Sequence, residues 1–459
     1  MNKIDRDLLL RYDRPGPRYT SYPTAPVWRD DFGSQDYAER LAAAGQRSGE
    51  PVSLYVHIPY CASMCWYCAC SVVISNDPEK APRYVDDVLA EADLVLSHFG
   101  TKDRPVVQHH WGGGTPTFLP PDQCKRLFHG LCERFPLAKG AEVSIEVDPR
   151  VTTKEHLAAL TEVGFRRISM GVQDFDPKVQ EAIHRVQSLE LTRDLIETAR
   201  ELGFESVNLD LVYGLPFQNR DGFARTLEQV DSLRPDRIAC YSYAHVPWLK
   251  KHQRVMPEEA MPTGPEKQAL FQQALEFFVD HDMEAIGMDH FARSDDELAV
   301  AAREGRLHRN FMGYTTHAAD DMLSFGVTAI GEVDGAFVQN QKGVTEWRDC
   351  IHNGELPVHR GLRRNADDDA RRRIILDLMC HFRLEFAEHG GAEVFRDRYA
   401  DELLRLAPMV DDGLATIDDA GISVTGPGRL LIRNLAMAFD AYLPRDGKAP
   451  SGPMFSRTV

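Results

Sequence analysis

Between residues 50 and 290 the chain alternates short β-rich runs with longer amphipathic runs. The β-rich runs occupy residues 53–58, 106–111, 142–147, 166–171, 206–212 and 237–243, with a seventh candidate at 284–288. Helix-like runs lie between them at residues 82–98, 121–134, 154–163, 188–202, 221–232 and 265–281. This alternation predicts parallel strands joined by right-handed helical crossovers. Periodicity alone does not separate a barrel from a flat doubly wound sheet.

Polar residues or glycines stand at or just after the end of nearly every predicted strand. They are His57, Gly112, Glu146, Asp148, Gln173, Asp210 and His245. In a barrel of parallel strands these ends converge on the C-terminal face, where such sites are built. We therefore expect an α/β fold whose catalytic domain is a partial (β/α)6-type TIM-like barrel, with one site built by many strands.

The sequence predicts three domains. Residues 1–35 form an N-terminal extended arm, because three prolines and a glycine between residues 15 and 23 exclude a helix there. Residues 36–325 form the barrel. Residues 326–459 form a mainly helical domain, with helix-like runs at 370–384, 391–406 and 428–442 and two short β-runs within 413–425. Helices with a hairpin are typical of a winged-helix-like unit. We expect this unit to pack against the rest of the protein rather than to bind DNA.

Composition excludes several classes of protein. The formal net charge of −17 argues against a broad nucleic-acid surface and against an anionic membrane as partner. No run of about 18 apolar residues is present, and the N-terminus lacks the features of a signal peptide. We expect a cytoplasmic protein, in which the nine cysteines do not form a disulfide framework.

Four cysteines lie within ten residues: Cys61, Cys65, Cys68 and Cys70. Three thiolates spaced C-x3-C-x2-C can hold three irons of a [4Fe–4S] cluster and leave the fourth iron open. The alternative is a structural zinc site. Such a site usually combines two closely spaced pairs of cysteine or histidine ligands, and no second pair with suitable spacing appears downstream. The spacing therefore favours an iron–sulfur centre, and Cys70 requires a separate role.

The aromatic Tyr67 before the third cysteine, and the glycine run at 112–114 followed by Thr115 and Pro116, resemble the radical S-adenosylmethionine superfamily. This resemblance implies that the amino and carboxylate groups of S-adenosylmethionine chelate the open iron. One-electron reduction then yields a 5′-deoxyadenosyl radical. The run is not a phosphate loop, because the G-K-[ST] ending is missing.

Seven further segments make the resemblance narrower. They are GPRYTSYPT (16–24), YVHIPYC (55–61), EVDPR (146–150), SMGVQDF (169–175), NLDLVYGLP (208–216), GMDHFAR (287–293) and GRLLIRN (428–434). Together they resemble the oxygen-independent coproporphyrinogen III oxidases. The resemblance implies oxidative decarboxylation of two propionates of coproporphyrinogen III to vinyl groups, giving protoporphyrinogen IX in haem biosynthesis. An electron donor and an electron acceptor, which the sequence does not identify, are also implied, and we expect a monomer.

The same resemblance implies roles for individual residues. Cys61, Cys65 and Cys68 would bind the cluster. The first S-adenosylmethionine would be lined by Tyr55, Gly113, Glu146 and Ile330. A second one, which this family is thought to hold, would be lined by Tyr67, Gly114, Thr115, Gln173, Arg185, Asp210 and Ala244. Cys70 is the candidate catalytic residue, acting in the radical or electron step or on the substrate side.

Other residues near these motifs receive weaker assignments. Arg18 and Tyr19 on the arm are candidates for contact with the substrate carboxylates, whereas His57 and His290 are more typical of structural histidines. The chain departs from the family pattern at Ala69, where glycine is common, at His184, where asparagine is usual, and in the less basic loop 71–77.

Two alternative functions stay open at this point. One is another radical enzyme on the same scaffold, such as a methyltransferase or a cyclopropane-forming enzyme. The other is a non-catalytic haem-binding chaperone. The arm motif and Cys70 argue against both.

Overall fold

A twelve-stranded sheet forms the centre of the protein, in a computed structural model that describes residues 6–444, 455, 457 and 458. Its strands are β1 (Val52–Ile58), β2 (Val106–Gly113), β3 (Leu137–Val147), β4 (Arg167–Gln173), β5 (Ser206–Tyr213), β6 (Arg237–Ser242), β7 (Met283–Gly287), β8 (His290–Arg293), β9 (Asp321–Phe325), β10 (Ile330–Val333), β11 (Ala336–Asn340) and β12 (Val358–Arg363). The spatial order is β12-β11-β10-β9-β1-β2-β3-β4-β5-β6-β8-β7.

The first six strands pair in parallel and in chain order. In this register Tyr55 lies opposite His110, and His110 lies opposite Ser144. The carboxyl ends of these strands therefore share one edge of the sheet. The predicted partial barrel of six βα units is confirmed.

Sixteen helices accompany the sheet in the described part of the chain. They are α1 (Arg6–Tyr12), α2 (Ser34–Gly45), α3 (Lys80–Phe99), α4 (Pro121–Arg134), α5 (Lys154–Val163), α6 (Pro177–Ala182), α7 (Leu189–Leu202), α8 (Arg220–Ser232), α9 (Gly264–Asp280), α10 (Glu297–Arg303), α11 (Val344–His352), α12 (Ala366–His381), α13 (Ala392–Arg398), α14 (Ala400–Asp411), α15 (Gly426–Leu430) and α16 (Ile432–Met437).

Local signals set the ends of the crossover helices. The Thr153 side chain caps α5 by accepting a hydrogen bond from the backbone N–H of His156. Gly164 and Gly203 end α5 and α7 with φ of 120° and 100°, a left-handed conformation that glycine adopts without steric cost. Between the helices and the sheet, Trp111 and Phe128 pack against Phe165 with ring centroids 5.0 and 5.3 Å from it.

Strand β9 is a seventh parallel strand that the pattern did not reveal. It pairs with the other edge of β1, with Leu54 opposite Leu323. Strands β10–β12 continue the sheet in antiparallel fashion. The helical unit therefore begins at α12, later than the predicted domain boundary at residue 325. The seventh candidate run forms β7, which is an antiparallel edge strand rather than a barrel strand.

A second hydrophobic core joins the N-terminal arm to the C-terminal helices. The arm is not wholly extended, because α1 precedes its proline-rich part. The Arg433 guanidinium donates to the carbonyls of Gly16 and Pro17, and the Asn434 side chain donates to the carbonyl of Tyr12 at 2.8 Å. These contacts fix the arm to the C-terminal motif GRLLIRN.

The C-terminal unit combines helices with a small antiparallel sheet. Its three strands are Arg383–Glu385, Gly421–Val424 and Ala415–Ile417, in that spatial order. This arrangement agrees with the predicted helical domain containing a hairpin. Among the described residues, no helix combines the length and the apolar character needed to cross a membrane.

Glu91 connects α3 to the turn after β9. Its side chain is buried and accepts three hydrogen bonds: from the Gly326 backbone N–H at 2.7 Å, the Asn340 amide at 2.6 Å and the Trp347 indole at 3.2 Å. We expect Glu91→Gln to lower the free energy of unfolding by about 2 kcal/mol, because an amide nitrogen would then face a donor. Urea unfolding measures this, with the exposed Glu201→Gln as control; equal losses in both variants would contradict the assignment.

Candidate functional site

The four clustered cysteines lie on a loop that follows β1 at the C-terminal edge of the barrel. The loop is held at its two ends by the short parallel strands Tyr60–Cys61 and Val73–Ile74. Cys65 is buried, and Cys70 is exposed. All four cysteines line one cavity of about 600 Å³ at the barrel mouth.

Twelve of the fifteen residues predicted for the site line this cavity. They are Cys61, Cys65, Tyr67, Cys68, Cys70, Gly113, Gly114, Thr115, Glu146, Gln173, Arg185 and Asp210. The other three lie on neighbouring segments. Tyr55 lies on β1 opposite His110, Ile330 begins β10, and Ala244 follows β6 with its carbonyl 3.3 Å from the Gln253 amide.

Two arginines surround the sulfur of Cys65. The guanidinium of Arg150 lies 3.3 Å from Sγ and that of Arg185 lies 3.7 Å from it. Asp148 bridges the two cations, accepting from Arg150 at 2.7 Å and from Arg185 at 3.0 Å. Two guanidinium groups beside this sulfur can offset the negative charge of a metal–thiolate centre. Both residues stand in the motif EVDPR; the strand-end pattern places Asp148 at the barrel mouth, but it gives no sign of Arg150.

The side chain of Arg185 lies against Gly171, and the absence of a side chain there lets its guanidinium reach Cys65. Its guanidinium donates to the carbonyl of Gly171 at 2.7 Å. A Cβ at Gly171 would lie 2.6 Å from the Gln173 amide nitrogen and 3.0 Å from Arg185, so a larger residue would displace both side chains. The β4–β5 register shifts between Gly171 and Gln173, and Gln173 has a φ of 69°. Such irregularities commonly direct side chains at functional sites. The Nε of Arg185 is buried and has no hydrogen-bond partner among the described residues.

Glu146 forms the other side of the cavity. It accepts from the backbone N–H of Gly113 at 3.2 Å and lies 3.5 Å from the imidazole of His110. Burial alone would raise the pKa of Glu146, but the hydrogen bond and charge of His110, together with Gly113, lower it. Glu146 is therefore an ionised carboxylate near neutral pH, suited to a cationic group.

The glycine run brings strand β2 close to the cysteine loop. Gly113 has a φ of 116°, and a Cβ there would lie 2.7 Å from the His57 ring. A Cβ at Gly114 would lie 2.5 Å from the carbonyl of Pro59. His57 itself is buried and lies 3.0 Å from both the Tyr55 hydroxyl and the carbonyl of Ser71. It therefore ties the tail of the cysteine loop to β1.

Cys70 contacts the third cysteine of the motif directly. Its backbone N–H donates to the sulfur of Cys68 at 3.4 Å. Hydrogen bonding by Cys70 lowers the pKa of Cys68 to about 7. The backbone of both residues is held from outside, because His252 lies 2.7 Å from the carbonyl of Cys68 and Lys250 donates to the carbonyl of Cys70 at 2.9 Å.

Asp210 lies on β5 and is a further polar residue of the cavity wall. It accepts from the Asn208 amide at 2.8 Å and from the Ser169 hydroxyl at 3.3 Å. Burial, and then the negative charge of Glu146, raise the pKa of Asp210 to about 7. The folded protein therefore binds a proton at this group more tightly than the unfolded chain does.

This pKa shift predicts a pH dependence of stability. The protonated Asp210 contributes its full stabilisation of the fold below about pH 4. This stabilisation is lost as the pH rises through 7, so the free energy of unfolding falls over this interval. Allowing for partial exposure, we expect a decrease of about 2 kcal/mol, which Asp210→Asn removes. Urea unfolding between pH 4.5 and 7.5 measures it, with the exposed Asp221→Asn as control. A wild-type pH profile in Asp210→Asn would refute the assignment.

The two arm residues considered for substrate contact have internal partners. Arg18 pairs with Asp289 and lies over the ring of Tyr241, 5.2 Å from its centroid. Tyr19 is buried and donates to Asp440 at 3.0 Å. Tyr241 lines the cavity, so the arm contacts a residue of the cavity wall. Tyr241 lies on the predicted sixth strand and belongs to no motif, so the sequence gives no sign that it lines the site.

Both departures beside the site fit the backbone. His184 has a φ of 55°, a left-handed conformation in which asparagine and histidine are both enriched. Its ring stacks on Trp66 at 4.9 Å, and its Nδ1 lies 2.7 Å from the carbonyl of Met64. Ala69 is exposed and is not among the described residues with positive φ, so it needs no glycine.

These groups fit an iron–sulfur cluster with S-adenosylmethionine. Three cysteine sulfurs face one cavity, and guanidinium groups beside Cys65 offset the negative charge of thiolates and sulfides. The ionised Glu146 and the unpaired Nε of Arg185 are complementary to an ammonium and a carboxylate.

Comparison with known proteins gives the family. Residues 55–230 match the sequence model of the radical SAM superfamily. The chain is 43% identical to the oxygen-independent coproporphyrinogen III oxidase of Escherichia coli over the full length of both chains, and 42% identical to that of Pseudomonas aeruginosa over 96% of each. The solved structure of coproporphyrinogen III oxidase from Escherichia coli, described as a radical SAM enzyme, superposes with a TM-score of 0.90 at 42% identity, covering 96% of this chain and all of that one. The chain therefore belongs to the oxygen-independent coproporphyrinogen III oxidases, a family of radical SAM enzymes.

Proposed function

We propose that this protein converts two propionate side chains of coproporphyrinogen III to vinyl groups without oxygen, giving protoporphyrinogen IX in haem biosynthesis. The observation that carries the proposal is that three cysteine thiols and the fourth, Cys70, open into one cavity bounded by Glu146 and Arg185. The full-length likeness to oxidases of this name supports the oxidase over a methyltransferase, a cyclopropane-forming enzyme or a haem chaperone.

Cys61, Cys65 and Cys68 would hold the cluster. When bound and reduced, the cluster and S-adenosylmethionine would supply a 5′-deoxyadenosyl radical that takes hydrogen from the propionate β-carbon. Arg150 and Arg185 would offset the negative charge of the cluster beside Cys65. Glu146, Gly113, Tyr55 and Ile330 would bind the first S-adenosylmethionine, with Glu146 facing its cationic amino group.

A second S-adenosylmethionine would bind in the same cavity. Tyr67, Gly114, Thr115, Gln173, Arg185, Asp210 and Ala244 would line it. The unpaired Nε of Arg185 is available for a carboxylate, and Asp210 for ribose hydroxyls. Equilibrium binding would yield a stoichiometry of two per chain, and a stoichiometry of one would limit the proposal to the first site.

Cys70 would act on the substrate side of the cluster, in the radical or electron step. Its thiol lines the cavity and is exposed, and it is separated from Cys68 by one residue. We further propose that the enzyme works in the cytoplasm as a monomer, with an electron donor and an electron acceptor as its partners and without binding nucleic acid or membranes. Light scattering of the reconstituted protein checks the oligomeric state.

The test of the reaction is anaerobic. The cluster is reconstituted, and reductant, S-adenosylmethionine and coproporphyrinogen III are added. We expect protoporphyrinogen together with 5′-deoxyadenosine. Cleavage of S-adenosylmethionine without a vinyl product would reject the oxidase activity but would still be consistent with a radical SAM enzyme. Haem binding without any cleavage would favour the chaperone.

A further inference from the structure

The outer side of the cysteine loop carries a second, shallow pocket of about 310 Å³. Met64, Cys70 and Val72 line both this pocket and the cluster cavity. The pocket therefore lies directly across the loop from the proposed cluster.

The charged groups of this outer pocket are all basic. Lys250, Lys251, Lys342 and His252 line it, and none of its lining residues is acidic. Within the described part of the chain, none of these lysines forms an ion pair. This is a local basic surface on a protein whose formal net charge is −17. An acidic protein is repelled by most of the chain and attracted here.

Large apolar side chains stand exposed at the same place. Leu249 lines the pocket and is 68% exposed, and its neighbour Trp248 is 48% exposed. Ile74 follows Val73 of the pocket wall and is also exposed. An exposed apolar centre with a polar rim is typical of protein–protein interfaces, in which tryptophan is enriched.

The basic surface contacts the backbone of the cluster loop. The Lys250 ammonium donates to the carbonyl of Cys70, and His252 lies 2.7 Å from the carbonyl of Cys68. A protein seated on this pocket would thus be separated from the cluster by the loop alone. The loop 71–77 has no lysine or arginine, and the lysines come instead from the segment after β6 and from the turn after β11.

We infer that this pocket is the docking site of an acidic, low-potential one-electron carrier protein. The inference rests on the proposed function, in which the cluster must gain one electron before each reaction. In the transfer the reduced carrier loses one electron and the oxidised cluster gains it, and no bond forms or breaks. The lysines steer the carrier by charge, and Trp248 and Leu249 supply the apolar contact.

Reversing the charge of two lysines tests the inference. Lys251→Glu/Lys342→Glu leaves Lys250 in place, and the probe is a reduced, acidic plant-type [2Fe–2S] ferredoxin. We expect its rate of cluster reduction, followed by absorbance, and its affinity for the reconstituted enzyme each to fall at least about tenfold at low salt. In the wild type the same rate should decline as salt is added. Reduction by methyl viologen, a small cation, should not fall.

A charge-matched control separates local from overall charge. Lys102→Glu/Lys139→Glu changes the net charge equally, but both residues are exposed near the amino ends of β2 and β3, opposite the cysteine loop. Ferredoxin should reduce the cluster of this control variant at the wild-type rate. Equal reduction rates in the two double variants would overturn the inference.

The substrate is the competing occupant of the pocket, because coproporphyrinogen III is a tetra-anion. If Lys251→Glu/Lys342→Glu raises the KM for coproporphyrinogen III in dithionite-driven turnover while ferredoxin reduction is unchanged, the pocket binds substrate and the inference is overturned. Failure of the proposed function is seen separately, as wild-type enzyme that forms no vinyl product with dithionite.

Discussion

Cys68→Ser is expected to lose both its cluster and its turnover, whereas Cys70→Ser keeps the iron and loses vinyl formation. Only three cysteines have the ligand spacing, and removing one thiolate of three leaves too few to hold the cluster. Serine preserves the shape of the loop, which His252 and Lys250 hold through backbone carbonyls. We expect protoporphyrinogen formation to fall at least about 10³-fold in Cys68→Ser, and by about 10²-fold in Cys70→Ser.

Iron and sulfide content, measured beside 5′-deoxyadenosine and protoporphyrinogen, distinguishes the two variants. The half-buried Cys350 lies in α11, outside the cavity, so Cys350→Ser should behave as wild type in every assay. Full turnover in Cys70→Ser would remove the catalytic role proposed for that thiol. Loss of iron in the same variant would make Cys70 a ligand instead.

Asp148→Asn is expected to have the largest effect on stability. Asp148 is 8% exposed and is the acceptor shared by Arg150 and Arg185. Without its charge the two guanidinium groups would repel each other beside Cys65. Breaking a buried ion pair by removing one partner costs about 3–5 kcal/mol. Arg185 would also lose its fixed position, so we expect S-adenosylmethionine to bind at least about tenfold more weakly.

Urea unfolding and equilibrium binding of S-adenosylmethionine measure these two losses. The matched control is Asp86→Asn, because Asp86 pairs with Arg126 while both side chains are largely exposed. An exposed pair contributes about 0–1 kcal/mol, so this control should change little. Wild-type stability together with wild-type affinity in Asp148→Asn would show that the bridge does not position Arg185.

Periodicity predicted the six βα units because each unit carries its own local signal. The run 121–134 coincides with α4. The capping residues Thr153 and Gly164 stand directly before the start and directly after the end of α5. Strand β9 escaped prediction because all five of its residues are buried, and a short buried run has no alternation to reveal it. The helix-like run 391–406 is divided in the structure into α13 and α14.

At the site, spacing and motif predicted which residue types are present, and twelve of the predicted residues line the cavity. Their partners were not predictable. Asp148 joins Arg150 to Arg185 across 35 residues of chain, and Tyr241 is supported by Arg18 of the distant arm. Such contacts depend on which strands are neighbours, which no local pattern contains.

The sequence by itself determined the order of the six βα units, the C-x3-C-x2-C spacing that leaves Cys70 outside it, and the family to which the chain belongs. Only the tertiary structure decided that cations surround Cys65, that the arm is fixed to the C-terminal domain, and that lysines from two separate segments gather outside Cys70. The physical reason is that spacing and periodicity are properties of neighbouring residues, whereas charge pairing and burial depend on residues that folding alone brings together.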